Sequence, residues 1–304
     1  MAATTHPVRF SIQTPQQHTS WPELVALWQE LDTLGFDSAW VFDHFLPIFS
    51  DPTGPCLEGW TVLSALAMVT QRVRMGVMVT GNTYRHPAVL AKMATTLDIV
   101  SNGRLNLGLG AGWFALEHQT FGMSFPPVGE RLQRLDEALT VIRRLWSEER
   151  VTFTGRHYQL RDALLNPRPL QQPHPPVVVG ATGEQVALRI VAQHADMWNG
   201  FGSPGVFGHK IAVLTEHCRK INRDPDAIEK SVLMQMTLTD DPEVKRRTLE
   251  KESWGMFAGT PTDIRQQIEE YVAVGVTHII ISLAAPYDMT TLRRFATEVM
   301  PAFR

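Results

Sequence analysis

The sequence predicts a parallel (β/α)8 barrel, and three observations carry that prediction. Short β-branched runs alternate with amphipathic helices along the whole chain, and eight such units can be counted. Ile279, Ile280 and Ile281 form a run that is apolar at every position, as suits a strand buried on both faces of a parallel sheet. The length, 304 residues, gives a two-domain prior at about 150 residues per domain, yet α/β barrels of roughly 250 residues or more form a single domain. One domain over residues 1–304 is therefore expected, with a doubly wound open sheet as the alternative.

The elements follow in order. A first strand over residues 8–13 leads to a helix that Ser20 and Glu23 open as a capping box. Leu24, Leu27, Trp28, Leu31 and Leu34 form its apolar face, and Gly35 stops it. The second strand, residues 38–42, runs into Asp43 and His44, and a helix covers residues 57–69. The third strand, 73–80, precedes a helix that Pro87 opens and Asn102 with Gly103 closes. A fourth strand, 104–110, and a Gly/Pro-rich loop lead to a helix with Leu132, Leu135, Leu139, Ile142 and Trp146 at helical spacing.

The rhythm then breaks. Residues 151–153 and 158–160 flank Thr154, Gly155, Arg156 and His157, a small hairpin insertion after the fourth helix. A Pro-rich stretch, 166–176, could mark a linker, but the βα pattern resumes without a change in composition, which favours an insertion within one domain. Strands follow at 177–180, 196–199, 231–238 and 278–283. Helices start near Gly183 and cover about 206–222 and 243–254, and one is capped by Thr260, Pro261, Thr262 and Asp263.

Composition excludes several functions. With 28 Lys and Arg against 31 Asp and Glu the net charge is −3, which argues against nucleic acid and anionic membrane surfaces as partners. Cys56 and Cys218 lie outside any C-x-x-C or Cys/His cluster, so neither a disulfide framework nor a zinc site is expected. The polar start of the chain and the lack of an apolar run of about 18 residues point to an unexported, cytoplasmic protein.

In such a barrel the reacting groups sit at the C-terminal strand ends. Strand two delivers Asp43 and His44. Strand three delivers Thr80, Gly81, Asn82, Thr83 and Tyr84, strand four Gly110, Ala111, Gly112 and Trp113, and strand five Gly180, Ala181, Thr182 and Gly183. Glycines and small hydroxyls favour a planar or phosphorylated ligand that backbone can approach closely. His44 beside a carboxylate suits proton transfer near neutral pH, although a capping Asp and a packed His would read alike. No convergence of His and carboxylates supports a metal. The glycines 108, 110 and 112 imitate a dinucleotide fingerprint, but Trp113 stands where its third glycine belongs, so a structural turn fits as well. Glycines 180 and 183 sit where a helix N-terminus could hold a phosphate, or form an ordinary capping turn. Met75, Met78, Trp28, Trp40 and Trp146 suit the core, whereas Trp113 lies on a loop where its indole could wall a pocket.

Residues 35–44 (GFDSAWVFDH), 79–91 (VTGNTYRHPAVLA) and 103–113 (GRLNLGLGAGW) resemble the bacterial luciferase-like oxidoreductase superfamily, and its coenzyme F420-dependent branch most. Residues 166–183 and 259–283 extend the resemblance over nearly the whole chain. It implies a luciferase-like TIM barrel, often a homodimer, with a deazaflavin ring at the C-terminal mouth. It implies a non-proline cis peptide in a bulge at Val77 and Met78 that props the ring. Asp43, His44, Thr80 and Asn82 would border the cofactor, with Ala111, Gly112 and Trp113 near the ring and Gly180, Ala181, Thr182 and Gly183 at its phosphate tail. His44 would manage the proton that accompanies hydride transfer. Because deazaflavins react poorly with oxygen, reduction or dehydrogenation is expected over oxygenation.

Sugar-phosphate dehydrogenases of that branch carry a Glu directly after the strand-four glycines, where this chain has Trp113, with Glu117 four residues on. They also carry a Lys beyond strand six, which residues 199–204 lack. A neutral or apolar substrate bounded by Phe45, Trp113 and Phe201 is expected instead. Two other functions compete: an FMN-dependent monooxygenase fed by a separate reductase, against which the compact loop after strand seven speaks, and a non-catalytic flavin-binding protein, which would need no proton donor.

Overall fold

The structure, a computed structural model, describes residues 7–250 and 255–304. The chain runs β1 Arg9–Gln13, α1 Trp21–Leu34, β2 Ser38–Val41, α2 Gly59–Val69, β3 Arg74–Val77, β4 Thr80–Gly81, α3 Pro87–Val100, β5 Leu105–Gly110, α4 Ala115–Thr120 and α5 Val128–Ser147. It continues through β6 Val151–Thr154, β7 Gln159–Ala163, β8 Val177–Gly180, α6 Ala187–His194, β9 Met197–Gly200 and α7 Pro204–Lys220. The last part holds β10 Glu229–Leu238, α8 Pro242–Glu250, β11 Met256–Gly259, α9 Pro261–Ala273, β12 His278–Ser282 and α10 Met289–Arg294.

Parallel pairing runs β1-β2-β3-β5-β8-β9-β10-β12, and β12 returns to β1, so the sheet closes into an eight-stranded barrel ringed by helices. Closure rests on alternation. Outward-facing Phe10, Ile12, Val41, Met75, Leu107, Val179 and Ile281 join Leu27, Trp28, Leu63, Leu139 and Ile268 of the helices in one continuous core. Inward-facing Trp40, Met78, Val178, Met197 and Ile280 form a second, smaller cluster inside the barrel, with Val79 and Leu233 against it. Both faces of each strand are therefore buried.

Local signals set the boundaries. Glu23 Oε2 accepts from the backbone N–H and the hydroxyl of Ser20 at 2.7 Å each, and Gly35 ends α1 at φ +87°, a conformation that favours glycine. Thr260 and Asp263 likewise cap α9. The hairpin β6-β7 is antiparallel and docks on α5, where Glu137 accepts from the N–H groups of Arg156, His157 and Tyr158. The Pro-rich stretch is tied down rather than loose: Asp98 on α3 accepts from the N–H groups of Leu170 and Gln171.

Four expectations need correction. The third strand does not run unbroken from 73 to 80; it stops at Val77, and after a cis Met78–Val79 bond the short β4 resumes pairing with β5. Strand β11 pairs in parallel with the distal half of β10, from Gln235 to Leu238. Helix α4 starts two residues after Trp113, where no helix is expected. Helix α6 starts at Ala187 rather than near Gly183. The expected helix over 243–254 is present as α8 as far as Glu250, and its last residues lie outside the described ones.

Candidate active site

The C-terminal ends of β2, β4 and β5 meet around one carboxylate. Helix α4 turns Glu117 inward with its side chain fully buried. Its Oε1 accepts from the backbone N–H groups of Phe45 at 2.5 Å and Leu46 at 2.9 Å. Its Oε2 accepts from the Tyr84 hydroxyl and lies 2.9 Å from His44 Nδ1. Burial alone would raise the pKa of Glu117, but the hydrogen bond and charge of His44 and the hydrogen bond from Tyr84 outweigh it and hold the carboxyl below its usual range. Burial, with the Glu117 bond and charge second, pushes the Tyr84 phenol far up, so it stays a donor.

His44 Nε2 has no hydrogen-bond partner among the described residues. Its ring is packed by Phe42, by Trp113 at 5.5 Å edge-on and by Phe114 at 5.7 Å. Phe49 stacks on Trp113 with ring centroids 5.6 Å apart, and both rings are largely exposed. Cys56 closes the rear. Burial, then the Glu117 charge, pushes its thiol up to about 12, so it remains an S–H group facing the His44 carbonyl at 3.4 Å.

Asp43 points the other way. Its Oδ2 takes Arg85 Nη1 at 2.6 Å, while Arg85 Nη2 donates to Glu58 at 2.7 Å. Burial outweighs that attraction and raises the Asp43 carboxyl above its ordinary range. Asp43 Oδ1 is buried without a partner, and Asn82 Nδ2 is buried with only the Tyr158 hydroxyl in reach and no well-formed hydrogen bond. In a folded protein such orphans ask for an explanation, and a ligand is one.

The glycines answer the fingerprint question. A Cβ on Gly108 would lie 2.1 Å from the Val77 carbonyl oxygen. Cβ atoms on Gly110 and Gly180 would lie 2.7 and 3.0 Å from the Val79 side chain. These residues are small so that Val79 can fill the mouth of the barrel, and the fingerprint resemblance is thus structural.

The expected site residues therefore divide. Asp43, His44, Asn82, Gly110 and Trp113 all lie at C-terminal strand ends, with His44 and Trp113 in ring contact and Asp43 turned to Arg85. Val77 instead packs outward in the helix-facing core, and the cis bond falls one residue later than expected, which brings Val79 to the centre. Thr80 is fully buried, its hydroxyl accepting from Trp60 Nε1 at 3.0 Å. Met78 is inside the barrel, as its core reading expects. Gly112 takes φ +76° beside Thr83, next to the half-buried Ala111. Ala181 is buried, with its N–H on the Asn199 carbonyl, whereas Thr182 and Gly183 are exposed on a turn ahead of α6. Sequence reasoning placed Tyr84 at the end of strand three without giving it a role, left open whether Glu117 assists His44, and did not single out Val79. His118, also on α4, is wholly internal: Nδ1 donates to the Phe114 carbonyl at 2.8 Å, so Nε2 accepts from Thr83 at 2.7 Å. Among the described residues no group of three or more His, Cys, Asp or Glu is placed to hold a metal, and no helix is long and apolar enough to cross a membrane.

The fold and this strand-end constellation define a luciferase-like barrel. The chain belongs to the luciferase-like monooxygenase family, whose model matches residues 3–258. It is 39% identical to the F420-dependent glucose-6-phosphate dehydrogenase of Amycolatopsis mediterranei over 93% of this chain and 94% of that one. It is 31% identical to the F420-dependent hydroxymycolic acid dehydrogenase of Mycobacterium tuberculosis over 81% of this chain and 68% of that one. An F420-dependent secondary alcohol dehydrogenase, solved in complex with an F420-acetone adduct, shares the fold with TM-score 0.85 at 21% identity, covering 98% of this chain and all of that one.

Proposed function

We propose that this protein is a coenzyme F420-dependent oxidoreductase acting on a small neutral or apolar organic substrate. The observation that carries the proposal is the His44–Glu117 pair, with Nε2 left over among the aromatic rings of Phe42, Trp113 and Phe114, at the same end of the barrel as the Asn82 amide and the Asp43 carboxyl. Relatives over nearly the full length are F420-dependent by name. The residues fit such a group. Asn82 offers a donor and Asp43 an acceptor, matching the polar edge of a deazaflavin ring, and Val79 offers an apolar surface. When bound, the cofactor would supply a carbon that takes or gives a hydride.

This chain's own residues would do the rest. His44 accepts a substrate hydroxyl proton at Nε2 during oxidation and returns it during reduction, while Glu117 balances the charge of the protonated ring. Trp113 and Phe49 shield that nitrogen from water. The substrate class follows from the same residues, because Trp113 brings an apolar ring to the mouth. Arg85, the cation nearest to Asp43, is already engaged by two carboxylates.

The test is anaerobic titration of the protein with F420 and, separately, FMN, followed by fluorescence. Tight F420 binding with weak FMN binding is expected. Preference for FMN, with oxygen-dependent turnover, would overturn the proposal in favour of a flavin monooxygenase. F420 binding with no turnover, in the native protein as in His44→Ala, across a panel of alcohols would favour a carrier.

A further inference from the structure

We infer that Glu117 is a positioning residue that fixes the tautomer of His44, an inference that deepens the reading of His44 as the proton-handling group. The carboxylate is a pure acceptor, and every group around it is a donor. Two of them, the N–H groups of Phe45 and Leu46, belong to a backbone that cannot rotate away from Oε1. The third is the Tyr84 hydroxyl on Oε2. Only one arrangement of the fourth group is compatible with Oε2: the imidazole must carry its hydrogen on Nδ1, which leaves the lone pair of the neutral ring on Nε2.

The clasp around Glu117 is itself held. Tyr84 packs against Phe45 at 4.9 Å and stacks on His118 at 5.0 Å. His118 is locked between Thr83 and the Phe114 carbonyl. One short helix thus fastens the loop after β2 to the loop after β4, and the carboxylate that fastens them also orients the ring. Among the described residues no second titratable side chain bonds His44; its other neighbours are the rings of Phe42, Trp113 and Phe114, and the Cys56 thiol lies on its backbone carbonyl.

Glu117→Gln separates orientation from packing. The amide is isosteric, but its oxygen must stay with the two fixed backbone donors, so its NH2 group turns towards Tyr84 and His44. The ring then has to offer a lone pair at Nδ1 and move its hydrogen to Nε2. In a serine protease triad, the same Asp-to-Asn exchange leaves the geometry intact and costs about 10⁴ in kcat through the wrong tautomer.

The experiment is 15N-edited NMR of the histidine rings in the full-length protein, with and without F420, at pH about 9, above the ordinary imidazole range. The expected result is Nδ1–H for His44 in the native protein and in Tyr84→Phe, which keeps the carboxylate, and Nε2–H in Glu117→Gln. A folded Glu117→Gln protein that keeps the native tautomer would overturn the inference. So would Nε2–H in the native protein, a result that stands even where the variant does not fold. The cofactor-free spectra need no F420, so failure of the cofactor proposal leaves this result readable and distinct.

Discussion

The two ends of the barrel each hold a histidine against a glutamate, and only one pair is complete. At the N-terminal end His278 Nδ1 lies 2.6 Å from Glu229 Oε1, a close ion-pair contact without hydrogen-bond geometry, and Nε2 lies 2.6 Å from the Ser11 hydroxyl, so both ring nitrogens face a polar neighbour. Ser11 passes on to Ser38, and Arg9 binds the other oxygen of Glu229 at 2.9 Å. Nearby, Arg74 is shared among Asn106, Gln171 and the Leu105 carbonyl. At the C-terminal end His44 spends one nitrogen on Glu117 and keeps the other, while Asp43 and Asn82 each keep a buried polar atom unpaired. One end resembles a plug and the other a socket. In barrels of this type the bottom serves stability and the top serves chemistry, and here that division shows in the ring nitrogen of His44 that faces no polar neighbour, where both nitrogens of His278 face one.

The largest expected effect breaks the pairing at the open end. His44→Ala should lower turnover by about 10² to 10⁴-fold, the usual span for a lost acid-base group, while F420 affinity stays within about threefold. Anaerobic stopped-flow and a fluorescence titration measure the two quantities. Equal losses in both would make His44 a binding residue.

The same deletion at the closed end should act on folding alone. His278→Ala leaves Glu229 with the exposed Arg9 and the more distant charge of Arg74, and breaking a buried ion pair from one side costs about 3–5 kcal/mol; with these cations still present, about 2–3 kcal/mol is expected. Urea denaturation reads the loss, and turnover per folded molecule should be unchanged. A drop in turnover with native stability would contradict the division between the ends.

Stability should also respond to pH with opposite signs at Glu229 and at Asp43, while Glu117 shares the sign of Glu229. Burial would raise the Glu229 carboxyl, but His278 and then Arg9 hold it below the usual range. Its contribution is therefore present above the unfolded-state carboxylate value and disappears as pH falls through the depressed folded value. Glu229→Gln should flatten the acid limb of the stability curve. Asp43 is raised by burial, so its contribution is present at low pH and is lost as pH rises through the folded value. Asp43→Asn should then raise Tm at neutral pH, by roughly 1–3 °C, while weakening F420 binding, as expected where function is kept at the expense of stability. A lower Tm for Asp43→Asn would show that the Arg85 pair outweighs the burial cost.

Most of this architecture was legible in the sequence because alternation and helical periodicity encode which face is buried. What escaped had local physical causes. Helix α4 has six residues and no side-chain cap, too short for periodicity to register, yet it delivers Glu117. Strand β11 is four residues long and ends in Gly259 at φ +124°, and its partner is the far half of a strand already assigned. The break between β3 and β4 falls within a continuous run of apolar and small residues, so composition gave no stop signal and only the family resemblance placed a bulge there. His44 and Asp43 were found because strand ends are predictable. The hydrogen-bond partner of His44 was not, since Glu117, itself held by Tyr84, reaches it only through tertiary packing.

The smallest expected effect concerns the rim of the open end. Phe49 is 71% exposed and its stacking partner Trp113 is 52% exposed, so little apolar area is withdrawn from water by their contact. Phe49→Ala should change stability by no more than about 0.5 kcal/mol, the ordinary range for surface positions. F420 affinity should hold as well, because the polar atoms assigned to the ring lie below the rim. What should move is selectivity: without its partner the Trp113 indole can turn, and the preference between a bulky and a small alcohol should shift by up to about tenfold, near the upper end of what one apolar contact can discriminate. Competition between two alcohols, with melting curves alongside, measures this. A melt lowered by more than about 5 °C, which is more than 1 kcal/mol for a chain of this size, would mean that the Phe49–Trp113 pair braces the mouth rather than shaping what enters it.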